Sequence, residues 1–362
     1  MYRYPLEIPV QTSFGFMQDR PMVVVKLISE NGITGWGEIW CNFPSVGAEH
    51  RGKLVKQVFA PLLLEREFDN AESWFTYLTR STWILGLQSG EQGPLAHCIA
   101  GINIALCDIE SKETGLPLWK FFGGTCDKVP VYASGINPTR PEEVAGRAVD
   151  LGYRAIKLKI GFGQARDLEN LRALKQVTGS QCQLLADANQ AWSLEDAMAM
   201  LDPLSEFDLG WLEEPISTDR PPDEWRAIKE LAGFPLAAGE NIQGIDGFDS
   251  VLNSDILTVV QPDIAKWGGL SMGVPLGKKV LVSNKRFCPH YLGGGIGLVA
   301  SAHALAAVGG NGLLEVDINP NPLRSELVGD LLTANVGQAT IGFGSGLGYE
   351  PELSLFEKYR IL

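Results

Sequence analysis

The sequence predicts an α/β protein: a barrel of the TIM type preceded by a smaller α+β region. Three observations carry that expectation. From about residue 128, eight short apolar runs (VPVYASG, AIKLKIG, QLLADAN, GWLEEP, PLAAGEN, ILTVVQPD, RFCPH and GLLEVD) are separated by helical stretches. Apolar strands alternating with helices make a parallel sheet buried on both faces, and eight such units over about 190 residues suit a barrel. Finally, no GxGxxG opens any unit, which weakens the alternative of a doubly wound sheet.

In chain order, MVVVKLIS and GITGWGEIW read as a hairpin turned by Glu30-Asn31-Gly32. Residues 91–113 form the clearest helix, stopped by Thr114-Gly115-Leu116-Pro117. Residues 1–122 therefore look α+β. Within the barrel, Gly269 to Lys285 should be helical, yet it holds Gly273, Pro275 and Gly277 and runs into a strand-like VLVS. A kink or a late start is expected there. Beyond Val316 the irregular DINPNPLRSEL and ATIGFGSGLGYEPEL are expected to return to the first region.

Of the 362 residues, 45% are hydrophobic and 20% charged, as in a soluble globular protein. A net charge of -13 argues against nucleic acid or an anionic membrane as partner. It also means that an anionic substrate needs a local cationic pocket or a metal. The six cysteines include no CxxC pair and read as free thiols of a reducing cytoplasm. MYRYPLEIPV lacks the features of a signal peptide, and no run approaches a membrane span, so a cytoplasmic location is expected.

Each of seven barrel runs closes on a polar residue that its apolar body does not explain: Lys159, Asp187, Glu213, Glu240, Asp263, His290 and Glu315, recurring every 23 to 28 residues. One βα unit separates each from the next, so all seven should meet at the C-terminal mouth, where barrel enzymes work. Taken singly, each acid reads as a solvated loop residue. Together, Asp187, Glu213 and Glu240 on three consecutive strands repel unless a cation joins them, and an all-oxygen set favours Mg²⁺.

Lys157 and Lys159 share one face of their strand. Either the pair salt-bridges the acids, or one lysine is tuned from about 10.4 towards 7–8 and acts as a base. A Schiff base is a further option, though it needs no carboxylate triad. His290, with Asp263 on the neighbouring strand to fix its tautomer, makes a second acid/base. His97 and His303, in apolar helices, read as structural.

The stretches IKLKIG, LLADANQAW, WLEEP, AAGEN, QPDIAKWGG, CPH and LLEVD, in this order, resemble the enolase superfamily and within it the mandelate racemase subgroup. GINIALCDIESKETGLPLWKFFGG extends the resemblance into the first third. What it implies is a (β/α)7β barrel at 123–319 and a capping domain built from 1–122 and 320–362. It implies removal of the proton α to a carboxylate, with Mg²⁺ held by Asp187, Glu213 and Glu240. Lys159 would be one base, with Lys157 beside the substrate carboxylate. His290, oriented by Asp263, would be the other, and Glu315 a protonated acid facing the developing enediolate.

Lys266 stands where cycloisomerase-like and epimerase-like members carry a catalytic lysine, which keeps an N-acyl amino acid racemase open as an alternative. Asn189, Arg20 and His50 join Lys266 as candidate substrate contacts, with Asn42 and Arg51 on the same capping loops. The expected substrate is a small hydroxy or sugar acid, dehydrated, racemised or, as a lactone, cycloisomerised. Homo-oligomers are usual in such families. The chain begins where the family's first strand is under way, so either a short edge strand or a true start lying upstream is expected.

Overall fold

The computed structural model describes residues 1–67 and 69–361. Strands β1 (Tyr2–Thr12), β2 (Gly15–Ile28) and β3 (Thr34–Ile39) form an antiparallel sheet in that order. The second hairpin turns at the foreseen place: the Ser29 N–H donates to the Ile33 carbonyl at 2.9 Å, and Gly32 takes φ +79°. β1 is eleven residues long, not the short edge strand expected.

Helix Gln92–Glu113 packs on this sheet with helix Ala71–Ser89 beside it. The close approach depends on small residues, because a Cβ on Gly37 of β3 would collide with the Gly101 carbonyl. Local signals set the ends of Ala71–Ser89. Asn70 Oδ1 accepts the Ser73 N–H at 2.8 Å, and Gly90 closes the helix at φ +69°.

Eight parallel strands follow: β4 (Lys128–Ile136), β5 (Ala155–Lys159), β6 (Gln183–Asp187), β7 (Leu212–Glu213), β8 (Leu236–Ala238), β9 (Val259–Val260), β10 (Arg286–Phe287) and β11 (Leu314–Asp317). From β4 to β10 each pairs with the next, and β11 returns to pair with β4. Between β10 and β11 the Leu313 N–H reaches Cys288 Sγ at 3.3 Å and the Glu315 N–H reaches the Pro289 carbonyl at 3.5 Å. Seven helices connect the eight strands, which is the (β/α)7β arrangement.

Helix Gly269–Val282 runs unbroken through Pro275, and VLVS belongs to its last turn and end rather than to a strand. Its glycines serve packing. A Cβ on Gly273 would stand 2.7 Å from Ile264 Cγ2, and one on Gly277 2.5 Å from Val308 Cγ2. The burial gained by close contact outweighs the local helix-breaking tendency.

The tail does return to the first region, and to the barrel as well. β12 (Gln338–Thr340) lies antiparallel to the start of β4. Further on, Tyr359 packs edge-on against Tyr4 at 5.2 Å and Arg360 bridges to Tyr2. No helix among the described residues is long and apolar enough to cross a membrane.

Candidate active site

Side chains on a strand alternate between faces, so inward positions recur every second residue. Near the N-terminal end of the barrel, Tyr132, Ala155, Leu185, Trp211, Ala237, Val259 and Cys288 form one closed apolar layer. Two residues further along the same rows stand Lys157, Asp187, Glu213, Gln261 and His290; Lys159 and Asp263 extend two of the rows once more. The charged mouth is thus the upward continuation of the barrel's own packing rows.

Glu240 breaks the parity of its row. Gly239, at φ +154°, makes this possible: a Cβ there would lie 2.5 Å from the Gln261 backbone. The strands are shorter than the sequence suggests, so Glu240, Asp263 and His290 sit two or three residues beyond their ends. Glu315 is the second residue of β11, and Asp317 is its last.

The mouth residues are buried and paired. Lys157 Nζ lies 2.7 Å from Glu213 Oε1, 2.9 Å from Glu315 Oε1 and 3.7 Å from Asp187 Oδ2. Lys159 Nζ meets Asp187 Oδ2 at 2.7 Å, and Lys266 Nζ meets Glu240 Oε2 at 2.7 Å. His290 Nδ1 lies 2.8 Å from Asp263 Oδ2, which leaves Nε2 facing Glu240 at 3.2 Å and Glu315 at 3.7 Å. Asn189, at φ +44°, donates its backbone N–H (2.8 Å) and Nδ2 (3.1 Å) to Asp187, while its own Oδ1 is buried without a partner.

Five buried carboxylates (Asp187, Glu213, Glu214, Asp263, Glu315) and the partly exposed Glu240 face Lys157, Lys159, Lys266 and His290, an excess of two negative charges when all ten are ionised. Burial and then Asp187 push Glu213 up to about 7, and burial and then Glu240 push Glu214 up to about 8. Burial opposes the charge on His290, but Glu240, Glu315 and Asp263 raise it to about 9.

The pairing matches the salt-bridged alternative for the two lysines: burial favours their neutral form, yet Glu213 and Glu315 raise Lys157, and Asp187 raises Lys159, above the ordinary value. Burial favours the acid form of Glu315, but Lys157 and His290 bring it below the ordinary carboxylate value.

Among the described residues, no three acidic, thiol or imidazole side chains stand close enough to ligate one metal ion as placed. Asp187, Glu213 and Glu240 instead each hold a lysine ammonium. The donor chemistry nonetheless fits Mg²⁺. The set is all oxygen and comes from adjacent strands.

The capping residues fare differently. Arg20 is not free for a substrate: it is buried in an ion pair with Asp317, which Arg324 Nη1 also reaches at 3.0 Å. His50, a third exposed, pairs with Glu91 at 3.0 Å. His97 is not in a purely apolar setting either; Arg51 Nη2 lies 3.3 Å from its Nδ1 and Trp40 packs on its ring at 5.0 Å. His303 Nδ1 accepts the Trp119 N–H at 3.0 Å, as a structural histidine does.

Sequence reasoning missed several mouth residues. Gln261 Nε2 and Trp211 Nε1 donate to Glu213 Oε2 at 2.7 and 3.2 Å, and Ser134 donates to Glu315. The parity of the rows could have found Gln261, two residues before Asp263. The same parity marks Ser134, two residues beyond Tyr132, on the one strand that contributes no charged group to the mouth.

Two family models match the chain: Mandelate racemase / muconate lactonizing enzyme, N-terminal domain, over residues 2–123, and Enolase C-terminal domain-like, over 141–354. The arabinonate dehydratase of Saccharolobus solfataricus is 28% identical, covering 95% of this chain and 92% of its own. The D-galactarolactone cycloisomerase of Agrobacterium fabrum is 26% identical, over 100% of this chain and 97% of its own. A crystal structure of a mandelate racemase/muconate lactonizing enzyme from Bordetella bronchiseptica RB50 superposes with a TM-score of 0.92 at 49% identity, over 94% of this chain and 95% of that one. With both halves matched and the mouth built on the seven recurring strand-end groups, the chain belongs to the mandelate racemase / muconate lactonizing enzyme family of the enolase superfamily.

Proposed function

We propose that this chain is a Mg²⁺-dependent lyase that dehydrates an acid sugar, an aldonate or aldarate. The observation that carries the proposal is the pair of acid/base groups on different strands, Lys159 on β5 and the His290–Asp263 pair beyond β10 and β9, with the three carboxylates between them. Relatives spanning nearly the whole chain include a sugar-acid dehydratase.

Asp187, Glu213 and Glu240 would hold the cation, which when bound acts as a Lewis acid towards the substrate carboxylate. Lys159 Nζ takes the proton from C2 after giving up to solvent the proton that its pairing with Asp187 favours. Asp263 keeps the Nδ1 proton of His290 in place, so Nε2 is the atom that gives its proton to the hydroxyl leaving C3. The C2–H and C3–O bonds break, water leaves, and the enol product becomes a 2-keto-3-deoxy acid. Lys157 Nζ, beside Glu213 and Glu315, orients the substrate carboxylate. Lys266, tied to Glu240, assists electrostatically rather than as the base of an N-acyl amino acid racemase.

A second reading, cycloisomerisation of an aldarolactone, is favoured by the Agrobacterium relative that covers the whole chain. Incubation with Mg²⁺ and a sugar-acid and lactone library in D₂O separates the two. The dehydratase reading expects one member to lose water, with EDTA abolishing the loss. Ring rearrangement without water loss would favour the lactone reading, and full activity in Lys159→Ala and His290→Asn would sink both.

A further inference from the structure

Arg51, on the helix Gly47–Leu54, is only 3% exposed yet makes no ion pair among the described residues. Its Nη1 faces His50 Nδ1 at 3.3 Å, and its Nη2 donates to the Phe43 carbonyl at 3.3 Å and faces His97 Nδ1 at the same distance. Its Nε is buried without an acceptor. These are long contacts to carbonyl and imidazole groups, with no carboxylate among them. The other buried arginines, Arg20 and Arg324, share Asp317. A guanidinium stays protonated inside a protein, and burying it without a counter-ion is strongly unfavourable.

The surroundings of Arg51 have donors to spare and too few acceptors. Burial, then Arg51 and Lys266, bring His97 down to about 2, so its ring is neutral. With Nδ1 facing Arg51 as an acceptor, the remaining ring proton sits on Nε2. Trp40 Nε1 is also buried without an acceptor.

These groups adjoin the mouth. Trp40 packs edge-on against His97 at 5.0 Å, and Lys266 Nζ lies 4.5 Å from the Trp40 ring centre. Lys266 in turn holds Glu240 at 2.7 Å. A continuous line of contacts thus runs from a carboxylate of the barrel to the unpaired guanidinium of the cap. The nearest acid to the guanidinium, Glu91, is reached only through His50, whose Nε2 lies 3.0 Å from it.

We propose that Arg51, with His97 and Trp40, receives a second anionic end of the substrate, so that the enzyme takes an aldarate, carboxylated at both ends, in preference to an aldonate. This assignment rests on the acid-sugar reading above and narrows it. Arg51 supplies a planar fork suited to a carboxylate, and His97 and Trp40 supply further N–H donors. A terminal phosphate ester is the other anion that the same donors would accept.

The test is calorimetric titration of the Mg²⁺-loaded enzyme with matched probes that differ only at the far end: galactarate against galactonate, and glucarate against gluconate, with 6-phosphogluconate as a third arm. The wild type is expected to bind one aldarate about 10 to 100 times more tightly than its aldonate, as a hydrogen-bonded charge pair gives. Arg51→Gln should abolish that ratio by weakening the aldarate alone, and Arg51→Lys should retain part of it. Without ligand, Arg51→Gln should melt no lower than the wild type, because it removes an uncompensated charge.

Equal binding of aldarate and aldonate by the wild type would overturn the assignment while leaving the acid-sugar reading intact. So would an unchanged ratio in Arg51→Gln, or a large loss of melting temperature in that variant with no change in the ratio. Tightest binding of 6-phosphogluconate would replace the carboxylate by a phosphate and overturn the aldarate preference. Binding of no probe by an enzyme that binds Mg²⁺ would overturn both readings.

Discussion

On the floor of the barrel, Tyr132, Leu185, Trp211, Val259 and Cys288 fill the interior with closely packed side chains. Two residues onward along the same rows, Lys157, Asp187, Glu213 and His290 fill it with charge. Both layers are equally buried, so burial alone does not separate stability from chemistry. What separates them is whether the buried groups are satisfied by neighbours that stay in place. The floor is closed by apolar packing, with the Tyr132 hydroxyl buried and without a hydrogen-bond partner among the described residues. The mouth is held by lysine–carboxylate pairs, and on the proposed reading a cation and an anion would enter at the expense of those pairs.

This contrast can be broken at either layer. The largest effect belongs to the mouth: Lys159→Ala or His290→Asn should lower kcat about 10² to 10⁴-fold on the substrate found by the D₂O screen. Circular dichroism of either variant should remain native. A loss below tenfold would make the residue a structural partner of the acids.

The floor should behave in the opposite sense. Leu185→Ala is expected to lower the unfolding free energy by about 2–5 kcal/mol in urea titrations, through lost contacts and a residual cavity. The kcat of the remaining folded enzyme should change less than threefold. A collapse of kcat with full stability would erase the division between the layers.

A smaller effect sharpens the comparison at two histidines. His290 is charged by the carboxylates around it, whereas His303, which meets the Trp119 N–H and the Leu347 carbonyl, is brought down by burial to about 4. The folded state therefore resists protonation of His303 while the unfolded chain, near 6.5, accepts it. Nothing is lost above about pH 6.5, and the cost grows as pH falls towards about 4, to about 3 kcal/mol. His303→Gln should flatten that part of the stability–pH curve. An unchanged slope would place the acid sensitivity elsewhere.

Much of the mouth could be read from the sequence because the βα unit recurs at nearly constant length. That recurrence brings out Asp187, Glu213 and His290 even where the strands themselves are two residues long. What stays hidden depends on contacts between remote segments. Nothing near Arg20 foretells Asp317, and nothing near His97 foretells Arg51, because these pairs come from different elements. Glu240 was found by spacing, but the turn at Gly239 that aims it inward is invisible without the Gln261 backbone beside it. Helix Gly269–Val282 was misread for a related reason: its glycines answer to Ile264 and Val308, not to local propensity.

The tail that reaches back to Tyr2, Tyr4 and β4 has a consequence for biosynthesis. A ribosome releases β1 to β3 first, yet β1 gains its contacts with Tyr359 and Arg360 only after almost every other residue has emerged. Ordering the ends of so long a loop carries an entropic penalty that rises slowly with its length, so the delay is chiefly one of time. The nascent chain must therefore carry β1, with one edge incompletely covered, through the making of the whole barrel. Chaperone demand should peak in that interval, and it should end when residues 353–361 dock.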